Sequence, residues 1–66
     1  MGETLGMRLK RLREERGLEV NRAADLLGIQ PGQIRGYEKG RMYPSVPTLE
    51  WLCEFFGVTA TELLGF

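Results

Sequence analysis

Apolar residues along the chain fall into five clusters, each at helical rather than strand spacing. Between Thr4 and Arg16, Leu5, Leu9 and Leu12 recur three or four residues apart among charged neighbours, which draws one apolar stripe along an otherwise polar helix. Gly17 offers a left-handed stop, and Leu18 can pack back on the helix it follows. A second short helix is predicted over about 20–27, with Ala23, Ala24 and Leu27 inward and Gly28 closing it. Pro31 suits the first turn of a third helix, where a missing N–H costs nothing. Ile34 and Tyr37 form the buried stripe of that helix, and Lys39-Gly40-Arg41 ends it before the loop Met42-Tyr43-Pro44. Ser45 is the expected N-cap of a fourth helix, with Pro47 in its first turn and Leu49, Leu52, Cys53 and Phe56 on its core side. Thr59 and Glu62 have the spacing of a capping box and open a last helix through Leu63 and Leu64. Five short helices with brief connections predict an all-α fold, a single domain over residues 1–66.

A length of 66 residues limits the core to a small one. Apolar residues are 42% of the chain, yet no run approaches the roughly 18 that a spanning helix needs, so no membrane association is expected. Met1-Gly2-Glu3-Thr4 has neither the basic start nor the apolar run of a secretory leader, and a cytoplasmic location is expected. The single Cys53 lies within an apolar helical pattern and reads as a core residue. Histidine is absent, which removes imidazole acid/base pairs, Cys-His dyads and imidazole metal sites. The glycines at 32, 36 and 40 have the wrong spacing for a phosphate loop or a dinucleotide fingerprint. Neither an enzyme nor a metal or cofactor is expected.

The net charge is zero, with nine basic and nine acidic residues, but its distribution is uneven. Residues 1–41 hold all nine basic groups against six acids, a surplus of +3, and residues 42–66 hold only Glu50, Glu54 and Glu62. The basic part is available to phosphate.

The most informative run is Ala24-x-x-x-Gly28-x-x-x-x-x-Ile34. Two helices joined by a tight turn need a small residue where their backbones meet, a glycine in the turn and an aliphatic residue to lock the second helix. Ala24, Gly28 and Ile34 supply these in order. Together with Leu5-Gly6-x-x-Leu9-x-x-Leu12-Arg13-Glu14-Glu15-x-Gly17-Leu18, Tyr37-Glu38-x-Gly40-x-x-x-Pro44-Ser45, Thr48-Leu49 through Leu52, Phe56-Gly57-Val58 and Glu62-Leu63-Leu64, the chain resembles the lambda-repressor/Cro-like helix-turn-helix regulators over nearly its whole length. The resemblance implies a compact five-helix DNA-binding domain acting on double-stranded DNA. Its supporting helix would lie at about 20–27 and its recognition helix at about 31–37. It also implies that Arg13 and Glu38 form a structural ion pair between the first helix and the end of the recognition helix.

The chain departs from this family where DNA is usually touched. The supporting helix of relatives often opens with Ser/Thr-Gln, where this chain has Glu19 and Val20. Positions that commonly read bases correspond to Pro31, Gly32 and Gly36, none able to read a base edge. Base contacts are therefore expected from Gln30, Gln33 and Arg35, on a recognition helix with a slim front. Phosphate contacts are expected from Lys39, Arg41 and Tyr43 in the segment after that helix, and from Arg22. Trp51 and Phe55, four apart on the fourth helix, are expected to face outward and to join Phe66 in a homodimer interface. No small-molecule domain is expected beyond Phe66, and effector sensing is expected from a separate chain. The resulting reading is a dimeric transcriptional repressor; its rival is a protein-interaction module on the same fold that has lost its DNA-reading side chains.

Overall fold

The structure, a computed structural model, describes residues 2–65. Helix α1 (Leu5–Glu15) starts where Thr4 leaves the helical conformation and its hydroxyl accepts the Met7 N–H at 3.1 Å. That bond satisfies one of the donors a helix leaves open at its start. Helices α2 (Val20–Leu27), α3 (Pro31–Lys39), α4 (Val46–Phe56) and α5 (Ala60–Leu64) follow. Ser45 caps α4 through the Thr48 N–H, and Thr59 and Glu62 cap α5 reciprocally. Helix α3 runs on past residue 37 to Lys39, because the left-handed turn falls at Gly40.

The stripes converge on one core. Leu9, Ala23, Ala24, Leu27, Ile34, Tyr37, Leu52, Phe56 and Leu63 are all buried, with Leu12, Leu18 and Leu49 packed at its edge. Burying one such leucine contributes about 2 kcal/mol. Cys53 belongs to this core, and burial, with smaller effects from Glu50 and Glu62, pushes its thiol pKa up. The thiolate needed for reactivity is thereby disfavoured.

Helix α1 packs chiefly on α3, and α5 closes against α1 and α4. The first of these contacts depends on Gly6. A Cβ there would stand 2.3 Å from the Tyr37 carbonyl oxygen and 2.7 Å from that of Glu38. The two backbones touch, and only glycine permits it. At the other end of α1, the Arg16 guanidinium lies over the Phe56 ring at 5.0 Å and donates to the Phe56 carbonyl. This ties α1 to the end of α4.

Candidate nucleic-acid interface

The presentation of α3 is set first by the turn before it. Gly28 takes a left-handed conformation (φ 73°), and the N–H groups of Gly28 and Ile29 both donate to the Ala24 carbonyl, at 2.8 and 3.1 Å. This ends α2 with its last carbonyls satisfied and redirects the chain into α3. Ala24 is 1% exposed at the crossing, where a larger side chain would push the helices apart.

The second constraint is the pair formed by Arg13 and Glu38. The guanidinium donates through Nε to one Glu38 oxygen at 2.7 Å and through Nη2 to the other at 3.0 Å, while Nη1 donates to the Leu18 carbonyl at 2.7 Å. Both side chains are about nine-tenths buried. The hydrogen bond to Glu38 raises the Arg13 pKa against the lowering effect of desolvation, and the charges of Glu38, Glu14 and Glu19 add to the rise. A planar fork with three satisfied directions locks α1, the α1–α2 connection and α3 together.

Held in this way, α3 turns Arg35 and Lys39, one turn apart, to solvent. Neither forms an ion pair among the described residues, and the same holds for Lys10, Arg22 and Arg41. Arg22, Arg41 and Tyr43 are likewise exposed. Lys10 of α1 joins Arg35 and Lys39 around a cleft that Val20, Arg13 and Glu38 also line. Lys10 is missing from the contacts expected on sequence alone, although a signal existed. It precedes Arg13 by three residues, so both lie on the side of α1 that meets α3.

Two expectations about α3 need correction. Gln33 is not extended toward a base: its side-chain oxygen accepts the Gln30 N–H at 3.0 Å, and its amide nitrogen stands 3.5 Å from the Tyr37 hydroxyl. It occupies the capping position of its own helix, where it meets the nearest unsatisfied donor. Gln30 is exposed at the N-cap. Nor is the front of the helix slim throughout. Gly32 has open space beside it, but Gly36 is buried, and a Cβ there would meet the Met42 sulfur at 2.7 Å. Met42 folds back over the gap because the Arg41 and Met42 N–H groups both bond the Gly36 carbonyl.

The aromatic residues of α4 also depart from expectation. Phe55 is half-buried rather than outward, three residues after Leu52 on the flank of the core stripe, with its ring edge-on to Phe56 at 5.0 Å. Trp51 is 43% exposed, yet its indole N–H donates to the Leu27 carbonyl at 2.8 Å. It covers the end of α2 with one part of its ring and offers the rest to solvent. Phe66 lies outside the described residues. Among the described residues, no group of His, Cys, Asp and Glu side chains could hold a metal, and no helix is long and apolar enough to cross a membrane.

Comparison with known proteins agrees with this geometry. The family model for the helix-turn-helix domain matches residues 4–64. The HTH-type transcriptional regulator AnsR of Bacillus subtilis is 41% identical over 58 residues, covering 88% of this chain and 50% of that protein. The cryptic phage CTXphi transcriptional repressor RstR of Vibrio cholerae is 35% identical over 88% of this chain and 52% of its own length. The chain thus spans about half the length of these relatives. Among solved structures, a transcriptional regulator from Listeria innocua superposes with a TM-score of 0.87 at 29% identity, covering 100% of this chain and 62% of that one. A buried Arg–Glu fork, a left-handed glycine turn between α2 and α3 and a match over residues 4–64 lead to one assignment: the chain belongs to the lambda-repressor/Cro-like family of helix-turn-helix domains.

Proposed function

We propose that the chain is the sequence-specific DNA-binding unit of a transcriptional repressor, working as a homodimer in the cytoplasm with α3 in the major groove and without catalytic activity of its own. The observation that carries this reading is the exposed cationic surface around α3, unpaired among the described residues: Arg35 and Lys39 on the helix, Arg41 after it and Arg22 on α2. Its phosphate contacts are Arg22, Lys39, Arg41 and Tyr43. Base contacts come from Gln30 and Arg35, with Gln33 joining only by giving up its cap. The names of the two curated relatives, a transcriptional regulator and a transcriptional repressor, support the same reading.

The spacing of DNA supports the homodimer reading. Successive major-groove faces of DNA lie about 34 Å apart, whereas the whole domain measures 29 × 23 × 21 Å. Two recognition helices one turn apart require two copies. The exposed part of Trp51, with Leu26 exposed on the adjoining α2, supplies apolar surface for that pairing. The test is a titration of labelled random-sequence duplex at several salt concentrations, followed by selection for a preferred sequence. Salt-dependent binding and a near-palindromic selected site support the reading. No binding at low salt would favour the protein-interaction module, to which Glu19, Val20 and the inward-turned Gln33 give a specific basis.

A further inference from the structure

The cleft between α1 and α3 shares Arg35 and Lys39 with the contacts proposed above but adds Lys10, which takes no part in them, and its electrostatics are one-sided. Lys10, Arg35 and Lys39 line it, all three exposed and unpaired among the described residues. Its one carboxylate, Glu38, is occupied through both oxygens by Arg13. That pair is neutral as a unit, so three uncompensated cations face a cleft of about 260 Å³. A water needs about 10–15 Å³ of such space, so the cleft has room for a tetrahedral anion with its hydration. The acids Glu14 and Glu19 are absent from this cleft and line a neighbouring hollow that shares Arg13 and Val20 with it, where they would turn an anion away. The charge pattern therefore selects one seat.

We infer that this cleft seats a phosphate of the DNA backbone, with Lys10 of α1 and Lys39 of α3 closing on it from two sides and Arg35 at its rim. The inference rests on the DNA-binding reading and extends the footprint to a helix outside the helix-turn-helix pair. The cations come from elements fixed relative to each other by the Arg13–Glu38 fork. The seat is thus built before DNA arrives, and little order is left to impose on binding.

The experiment compares wild type with Lys10→Ala, Lys39→Ala, the double variant and Arg11→Ala, each first shown to be folded by far-UV circular dichroism. Arg11 is the control because it is an adjacent α1 cation bonded to Glu3 and absent from the cleft. Affinity for a labelled random duplex of about 20 base pairs, roughly two helical turns, is followed against salt concentration. Lys10→Ala is expected to weaken binding roughly tenfold, as losing a charge-assisted contact does, and Arg11→Ala to leave it near wild type. Because the two lysines share one phosphate, the double variant should lose about one unit of salt slope, not two. Equal effects of Lys10→Ala and Arg11→Ala, or no effect of Lys10→Ala, would overturn the seat while leaving DNA binding intact. A loss of two units in the double variant would overturn the sharing. A wild-type protein that binds no duplex at low salt would overturn the DNA-binding reading and the seat with it.

Discussion

Arg13 and Glu38 are 25 residues apart in sequence, and each is the answer to the other's burial. An arginine at 8% exposure is tolerable only because each of its three guanidinium nitrogens has an acceptor. Removing either partner leaves an uncompensated buried charge, a penalty of about 3 kcal/mol. Glu38→Ala and Arg13→Ala are each expected to lower stability to denaturant by that amount, and Arg13→Lys by a comparable amount, because an ammonium cannot meet the fork geometry. A double-mutant cycle by urea denaturation should show coupling above about 1 kcal/mol, and additive effects would contradict the pair. Trp51 behaves differently. Trp51→Phe keeps the apolar cover but drops the indole bond to the Leu27 carbonyl, so a loss of about 1 kcal/mol is expected. Sedimentation then separates the two roles of this residue: Trp51→Ala should also weaken self-association. An unchanged monomer–dimer equilibrium would remove Trp51 from the dimer interface.

At the level of helices, the two glycines Gly6 and Gly32 make opposite demands. Gly6 sits where α1 meets the backbone of α3, and the atoms that a Cβ would strike are carbonyl oxygens, which cannot rotate away. Gly6→Ala should cost about 2 kcal/mol or more. Gly32, in the first turn of α3, has a helical backbone, and an added Cβ would meet nothing within 4 Å. Gly32→Ala should therefore stabilise by about 0.5 kcal/mol, through fewer unfolded conformations. Thermal melts of the two variants side by side test the contrast, and a fall in melting temperature for Gly32→Ala would contradict an unobstructed helical position at residue 32. Both glycines are plain in the sequence. Nothing local tells them apart, since the difference lies in what α1 meets 31 positions later, at Tyr37.

The whole molecule carries no net charge yet has a divided one, with every basic residue at or before Arg41. Folding gathers part of that half around α3 and leaves it unpaired among the described residues. Binding to DNA should accordingly weaken steeply with salt despite zero net charge, and Arg41→Ala should lower the slope of log affinity against log salt by about one unit. The measurement is a set of anisotropy titrations between low and physiological salt. A flat salt dependence for wild type would mean that the charge division is only a solvated surface.

The sequence by itself determined whatever is decided within about one helical turn. Thr4, Ser45 and Thr59 each bond an N–H three residues ahead, Pro31 needs no partner for a missing donor, and the 3.6-residue period of Leu5, Leu9, Ile34, Tyr37, Leu52 and Phe56 names the core sides of α1, α3 and α4. Even the α2–α3 turn was legible, because Ala24, Gly28 and Ile34 answer to a local crossing. The tertiary structure alone decided where competing partners met. Tyr37 and Glu38 met the backbone of α1 at Gly6, and Trp51 found a carbonyl 24 residues away. Lys10 became a neighbour of Arg35 and Lys39 only when Gly6 let α1 lie against α3. The physical reason is one of range. Capping and periodicity are set by bonds between near neighbours, whereas a surface is assembled from side chains of separate helices, whose relative positions follow from packing and carry no local signature.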